Sequence, residues 1–350
     1  MKISLVLVGY HSSPRLPDCI RSFRREVRAA GVKSEILIVD HSEDREEAGR
    51  LEEFGADRLI FQPNRGYAGG LNAGVSVSRG EILFLANPDI LFLAGSVAGL
   101  IEALDAGFSI VGPQLYWDRK AEILLPPPDD PSPLQEFHRR FRAASPWYWK
   151  RSLGAELNRI YAVWSAKGPV EVPSLRGPLL VLRRSDWDVY GPMDEDYFLY
   201  FEETEFLLRA RKRGARPALV GNAGLVHEWG HATRNSRDAA ERETASQRRF
   251  YRRNYPLGRT LLELIRPEAL MPAGRPAVES GGQEAMKVLG GDMQLFSPFE
   301  HLHPAAGWIG RRDWPLDVSR LFQGGSWQGL SASGGPGNWT VRGPWRWGES

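Results

Sequence analysis

Apolar and polar positions in the first 110 residues alternate in two kinds of block. Short, nearly unbroken apolar runs at 2–8, 34–39, 58–61 and 81–86 have the length and composition of strands buried on both faces. Between them lie stretches with helical period. Residues 15–30 carry Leu16, Ile20, Phe23 and Val27 on one face, 43–54 form a charged helix, and 71–78 a short one. Strands separated by helices at this spacing predict a parallel sheet with right-handed crossovers, the α/β layer typical of nucleotide binding.

The pattern breaks at PPPDDPSP, residues 126–133, after which the chain turns basic and aromatic up to Trp149. Prolines at this density exclude regular structure, so a flexible surface excursion is predicted here, a lid or an acceptor-side loop. Order resumes near Val170. A strand is expected at 179–182, a short helix at 185–189, a helix at 204–214 ending on glycine, strands at 216–220 and 224–227, and a long arginine-rich helix over 234–265 with Phe250, Tyr251 and Tyr255 interleaved. Beyond about Pro267 the chain is rich in Gly, Trp and Pro with short alternating pieces, which predicts a small β-rich or irregular appendage.

Composition narrows the function classes. With 45 basic and 43 acidic residues the chain is near neutral, which argues against a dedicated nucleic-acid binder. The single cysteine, Cys19, excludes an intrachain disulfide and fits a reducing cytosol. No apolar run reaches the roughly 18 residues needed to span a bilayer. The 12 tryptophans, several beside basic residues as in Trp147-Tyr148-Trp149-Lys150-Arg151, leave peripheral membrane contact or a sugar-binding surface open.

Candidate chemistry sits at predicted strand ends. The run over 81–86 must stop before Asn87-Pro88-Asp89, because Pro88 cannot donate to a ladder. An acid thus reaches the carboxyl edge of a sheet, where a carboxylate suits a divalent cation shared with phosphates; an Asx turn explains the same residues. Asp40, ending the second strand, is placed to accept from a ribose or base, or to cap a helix. Asn64-Arg65-Gly66 and Gly69-Gly70-Leu71-Asn72 let a backbone approach a ligand ahead of a helix N-terminus. The stretch MDEDYFLYFEETEFLLR crowds Asp194, Glu195 and Asp196 before an aromatic run and Glu202, Glu203 and Glu205 after it. Crowded acids raise one another's pKa, as a general base requires, while acids at a helix start also favour its positive end. His227 and His231 follow, candidates to complete a metal site.

The order of motifs VDHSED, QPNRGYAGGLNAG, LFLANPD, GPMDEDYFLYFEETEFLLR and LVHEWGHATR resembles the inverting family-2 glycosyltransferases of the GT-A fold, within them the rhamnosyltransferase-like branch. The resemblance covers about residues 2–255. It implies a mixed, mostly parallel GT-A sheet flanked by helices over 1–265: a nucleotide-sugar-binding half at 1–110, a variable acceptor-side excursion at 111–169 and an acceptor and catalytic half at 170–265, with 266–350 left as the appendage. It also implies that Gly9, Asp40, Asn64, Gly66, Gly69, Gly70, Asn72 and Asn87 line the donor, and that Asp89 and His227 hold Mg²⁺ or Mn²⁺. Glu203 falls at the catalytic base, and Asp194, Glu202, Arg209 and His231 on the acceptor side. Asn87 replaces an acid common in the wider family, and Glu203 stands where aspartate is frequent, one methylene further from the backbone.

The implied reaction transfers a sugar, by the branch rhamnose from dTDP-rhamnose and otherwise from a UDP-sugar, to a glycan or lipid-linked hydroxyl in cell-envelope polysaccharide synthesis. It places the protein in the cytoplasm, at or near the inner face of the plasma membrane. A nucleotidyltransferase would need a basic Gly-rich loop after the first strand, where Gly9-Tyr10-His11-Ser12 stands instead. A non-catalytic carbohydrate-binding protein using the Trp-rich tail is the remaining alternative, against which Asp89, Glu203 and His227 argue together. The arginines of 234–259 are either a solvated face or a surface for anionic lipid.

Overall fold

The computed structural model describes residues 1–227, 237–257, 279–280, 293–297, 306–309 and 327–347. Strands β1 (Lys2–Gly9), β2 (Lys33–Asp40), β3 (Arg58–Phe61) and β4 (Ile82–Ala86) pair in parallel in the order β3-β2-β1-β4. Ile3, Leu5, Leu7, Ile36, Ile38, Ile82 and Phe84 are buried, as both-face burial of a parallel sheet requires. One polar residue interrupts β1. Ser4 Oγ donates to Glu35 Oε1 at 2.6 Å and accepts from the Gly80 N–H at 2.7 Å. Burial pushes the Glu35 carboxyl up, but Lys2, Ser4 and the Arg79 N–H outweigh it and hold the pKa down at about 2.

Helices α1 (Leu16–Ala29), α2 (Arg45–Glu52) and α3 (Gly66–Val77) make the crossovers. Phe23 of α1 packs on Phe84, with ring centroids 5.9 Å apart. Helix α3 begins five residues earlier than its sequence predicts, so the glycine-rich segment expected to be a loop is helical from Gly66. Glycine disfavours helices, but here the sheet demands it. A Cβ at Gly70 would lie 2.5 Å from a Val8 methyl, and one at Gly74 2.3 Å from a Val6 methyl. The helix therefore rides closer to β1 than any side chain would allow.

After β4 the sheet becomes mixed. Strand β5 (Ile90–Phe92) and helix α4 (Ser96–Asp105) lead into β6 (Ile110–Tyr116). Later come β7 (Pro169–Glu171), β8 (Leu179–Arg183), α7 (Arg184–Tyr190), α8 (Glu202–Lys212) and β9 (Pro217–His227). The nine-stranded sheet runs β3-β2-β1-β4-β8-β6-β9-β5, with β7 also on β9. Strand β8 is antiparallel to both β4 and β6, whereas β6 and β9 form a long parallel ladder. The strands predicted at 216–220 and 224–227 are one strand, β9, whose register against β6 shifts between Pro113 and Gln114. Helix α9 (Arg237–Asn254) is the described part of the long arginine-rich helix; 234–236 and 258–265 lie outside the described residues.

Packing divides the chain into two compact units, and not at residue 265. One contains Met1–Ala121, Pro128–Asp130 and Ala166–Pro256; the other contains Glu122–Pro127, Pro131–Ser165 and Leu257–Ser350. The excursion expected to be irregular holds α5 (Pro133–Ala144) and α6 (Pro146–Trp164) instead. Ser132 and Ser145 cap these helices, accepting from the Gln135 and Tyr148 N–H groups, each with proline in the first turn. The Ser-Pro pairs that read as breakers are helix starts. Within this unit Asn158 Oδ1 accepts from Trp339 Nε1 at 2.7 Å, and Leu124 bridges Gly307. The described strands β10 (Glu279–Ser280), β11 (Met293–Ser297), β12 (Ala306–Ile309), β13 (Trp327–Ser333) and β14 (Thr340–Trp347) form a sheet in the order β10-β14-β13-β11-β12. Met293, Leu295, Leu330 and Ala332 are buried on it, in agreement with the β-rich reading of this region.

Candidate active site

The carboxyl end of β4 makes one corner of the site. The chain turns through Asn87-Pro88-Asp89, the Asn87 N–H donates to the Pro178 carbonyl at 3.0 Å, and β5 then pairs antiparallel with β9. That ladder sets Ile90 opposite His227. Asp89 Oδ1 consequently lies 3.6 Å from His227 Nε2, while Oδ2 lies 3.9 Å from Arg15 Nη1. Both Asp89 and His227 are 15% exposed, and Asp89 Oδ1 is buried with no hydrogen-bond partner. A buried carboxylate oxygen without a donor beside an imidazole fits a divalent cation. No group of three candidate metal-ligating side chains occurs among the described residues. Asp89 and His227 would therefore supply two ligands and leave the other positions to phosphate and water, as Mg²⁺ and Mn²⁺ tolerate.

A second corner is made by the first turn of α8. Tyr200 and Phe201 both adopt left-handed backbone, φ 65° and 69°, immediately before Glu202 and Glu203. Such strain in bulky residues costs of order 1–3 kcal/mol each and persists where surrounding structure imposes it. Glu202 is buried, and the Oε2 atoms of both glutamates are buried without partners. Burial raises the pKa of Glu202 well above the usual carboxylate value, with the Glu203 charge adding to it. Burial also raises Glu203, against its own N–H, the Thr204 N–H and Arg176.

Two features join these corners. Gly177 leaves room for Glu203, whose Oε1 would lie 3.1 Å from a Cβ at that position, and the next residue, Pro178, accepts from Asn87. Tyr67 lies between them. Its hydroxyl is buried without a partner, and its pKa is raised well above the usual value by burial, then by Glu202, Glu203 and Asp89 in that order. No spacing rule marked Tyr67; the one available signal was an aromatic hydroxyl inside a run of glycines and alanine.

The acidic loop before α8 is clamped from two sides. Asn72 donates to the Met193 carbonyl at 2.9 Å and accepts from its N–H at 3.0 Å, and also donates to Glu195 at 3.0 Å. Arg65 pairs with Glu195 at 2.6 Å. Gly66, φ 77°, lets the Phe198 carbonyl approach so closely that a Cβ would sit 2.3 Å from it. From α9, Arg249 pairs with Asp196 at 2.8 Å, Arg253 pairs with Asp194, Ser246 donates to the Leu199 carbonyl, and Arg242 stacks over the Phe198 ring. Phe250 clusters with Tyr197 and Leu208. The arginines at 242, 249 and 253 are thus loop clamps, a use that neither a solvated face nor a lipid surface describes. Arg209 is engaged likewise, by Glu205 and by the Tyr190 and Pro192 carbonyls.

At the ends of β1 and β2, Asp40 is buried, with Oδ2 accepting from Ser42 at 2.5 Å and Oδ1 unpartnered. His41 hydrogen-bonds Gln62 at 2.8 Å, and burial lowers its pKa despite Asp40 and Glu43. Gly9 has no room for a Cβ, which would fall 2.1 Å from Ser12 Oγ. Asn64 Oδ1 accepts from the Gly66 N–H at 3.0 Å, and a Cβ at Gly69 would lie 2.8 Å from that of Arg65. Of the predicted residues, Asn87, Asp89, His227, Glu202 and Glu203 converge, whereas Gly66, Gly70, Asn72, Asp194 and Arg209 have packing or loop-holding partners. His231 lies outside the described residues.

Residues 4–161 match the model of Glycosyl transferase family 2. That stretch of the chain is similar to the family. Among curated relatives, the chain is 31% identical over 123 residues to the uncharacterized glycosyltransferase YfnE of Bacillus subtilis, covering 34% of this chain and 31% of that one. It is 24% identical over 253 residues to the low-salt glycan biosynthesis hexosyltransferase Agl10 of Haloferax volcanii, covering 71% and 69%. It is 27% identical over 177 residues to an N-acetylglucosaminyl-diphospho-decaprenol L-rhamnosyltransferase of Mycobacterium tuberculosis, covering 48% and 53%. The chain thus spans less than two thirds of the YfnE and Mycobacterium proteins. A solved structure of GalNAc-T7 with UDP, GalNAc and Mn²⁺ superposes with a TM-score of 0.52 at 14% identity, over 78% of this chain and 52% of that one. The likeness is one of fold, and the fold is GT-A. Among the described residues no helix is long and apolar enough to cross a membrane.

Proposed function

We propose that this protein is an inverting, cation-dependent family-2 glycosyltransferase that moves a sugar from a nucleoside-diphosphate donor to a hydroxyl of a glycan or lipid-linked acceptor. The observation that carries the reading is the convergence on the 177–178 segment and Tyr67 of two carboxylates, Asp89 and Glu203, each with one buried oxygen that lacks a hydrogen-bond partner. A cation held by Asp89 and His227 would neutralise the developing charge of the diphosphate. Asp40, with Gly9 and Asn64 nearby in the same row of loops, would receive the nucleoside.

Glu203 is the base. Its carboxylate takes the proton of the acceptor hydroxyl as that oxygen attacks the anomeric carbon. The bond from that carbon to the diphosphate oxygen breaks with its electron pair on the leaving group, and a single displacement inverts the centre. A carboxylate with a raised pKa is a stronger base than an exposed one. Rhamnose from dTDP-rhamnose is the favoured donor and a cell-envelope polysaccharide the favoured product, supported by the motif order and by the name of the Mycobacterium relative. A thermal-shift screen of nucleoside diphosphates and nucleotide sugars with Mg²⁺ or Mn²⁺ tests the donor. Glu203→Gln should abolish transfer while nucleotide binding persists, and near-normal turnover in that variant would overturn the base assignment.

A further inference from the structure

Arg15 stands at the metal corner without a structural reason to be there. It is the N-cap residue of α1, placed at the carboxyl end of β1 by the Ser12 carbonyl, which accepts from the Arg15 N–H at 2.9 Å and the Leu16 N–H at 3.2 Å. The backbone is therefore fixed, while the side chain is 46% exposed. Its guanidinium lies 3.9 Å from Asp89 Oδ2, beyond hydrogen-bond distance, and a pair at that separation with a half-exposed guanidinium adds little to stability. Asp89 is thus bracketed by His227 on one oxygen and Arg15 on the other. A cation bound at Asp89 would be repelled by a guanidinium this close. The guanidinium then needs an anion, and as N-cap residue Arg15 stands at the positive end of the 14-residue α1.

We propose that Arg15 is a diphosphate-binding side chain that faces Asp89 when the site is empty and turns to the ligand's phosphate oxygens when cation and nucleotide enter together. The proposal rests on the nucleotide-sugar reading above. It separates two roles at one corner: Asp89 and His227 hold the cation, and Arg15 holds the anion that the cation also binds. Planar, forked donors suit paired phosphate oxygens better than one carboxylate at long range.

The test is calorimetric titration of the full chain and its Arg15→Gln variant with Mn²⁺ alone, and with dTDP, UDP, dTMP and UMP in the presence of Mn²⁺. The two changes should have opposite sign. The variant should bind the wild type's preferred nucleoside diphosphate about tenfold more weakly, as expected for loss of a charge-assisted phosphate contact, and the monophosphate with a smaller loss. It should bind Mn²⁺ alone several-fold more tightly, because a competing positive charge is gone. Arg15→Lys should recover part of the diphosphate affinity, and melting temperatures should match throughout. Equal losses for mono- and diphosphates, an unchanged diphosphate affinity, or an unchanged Mn²⁺ affinity would each overturn the assignment. A wild type that binds neither dTDP nor UDP would refute the dTDP- or UDP-sugar reading on which the proposal rests, and Arg15's role with it; binding that is intact in both proteins refutes Arg15 alone.

Discussion

Replacing Asn72 by alanine separates a ligand contact from a loop clamp. Its amide closes a two-way bridge to the Met193 backbone, with a third hydrogen bond to Glu195. Met193 is 2% exposed, so truncation strands one N–H and one carbonyl where solvent reaches them poorly. An unsatisfied buried group costs about 1–3 kcal/mol, and partial solvation at this edge favours the lower end, giving roughly 2–3 kcal/mol for the pair. For a unit of this size that is a fall in melting temperature of about 4–12 °C. The release is local, so amide exchange should quicken over residues 193–201 before the parallel strands respond. Transfer should fall because Glu202 and Glu203 lose their foundation, while nucleoside-diphosphate affinity stays within about twofold, well under the tenfold that 1.4 kcal/mol represents. The opposite pattern, unchanged melting with weakened nucleotide binding, would refute the clamp and restore Asn72 to the donor site.

The raised pKa of Glu203 predicts that transfer rises with pH through a midpoint above the ordinary glutamate value of about 4.3, and a midpoint at or below that value in a pH–rate profile would contradict its burial. The same shift acts on stability. Because folding favours the protonated forms of Glu202 and Glu203, their contribution is full below the unfolded pKa and is lost as pH rises through the folded one, so Glu202→Gln should flatten the decline of urea midpoints with pH. Asp89→Ala should weaken cation-dependent donor binding; equal affinity with and without metal in wild type and variant would sink that role. Gly66→Ala forces a left-handed alanine against the Phe198 carbonyl and should cost about 2–5 kcal/mol in denaturant unfolding, from backbone strain of about 1–2 and displacement of about 1–3. A loss below about 0.5 kcal/mol, the ordinary range for surface changes, would mean the two loops do not meet as described.

The strands of the nucleotide half were legible because burial on both faces writes unbroken apolar runs, and β1 through β4 fall within a residue or two of their predicted ends. Asp89 and Glu203 were legible as strand-end and helix-start acids. What escaped detection depended on tertiary contact. Helix α3 looks like a loop because its glycines are there for Val6 and Val8, which lie some 60 residues earlier in the chain. Helices α5 and α6 were hidden by prolines that act as first-turn residues once a serine precedes them. The arginines of α9 could not be told from a solvated run, since their partners Asp194 and Asp196 come from another element. Tyr67 and Arg15 carry no motif of their own. They matter only because of which carboxylates stand beside them.

The register shift in β9 bears on how such a site can vary. Val220 is opposite Pro113 and Gly224 opposite Gln114, so three residues of β9 are looped out before it turns to meet β5. His227 is therefore aimed at Asp89 by a count of residues, not by anything local to the histidine. Side chains alternate along a strand, so deleting or inserting one residue at 221–223 would present Glu228 or Val226 to Asp89, shifting the pairing of the last residues of β9 with β6 and β5 by one while leaving 217–220 in place. Changes of length there, like substitution of His227 itself, would exchange the imidazole facing Asp89 for a carboxylate or an aliphatic side chain. Alignments that slide a gap freely through this bulge would misassign that histidine.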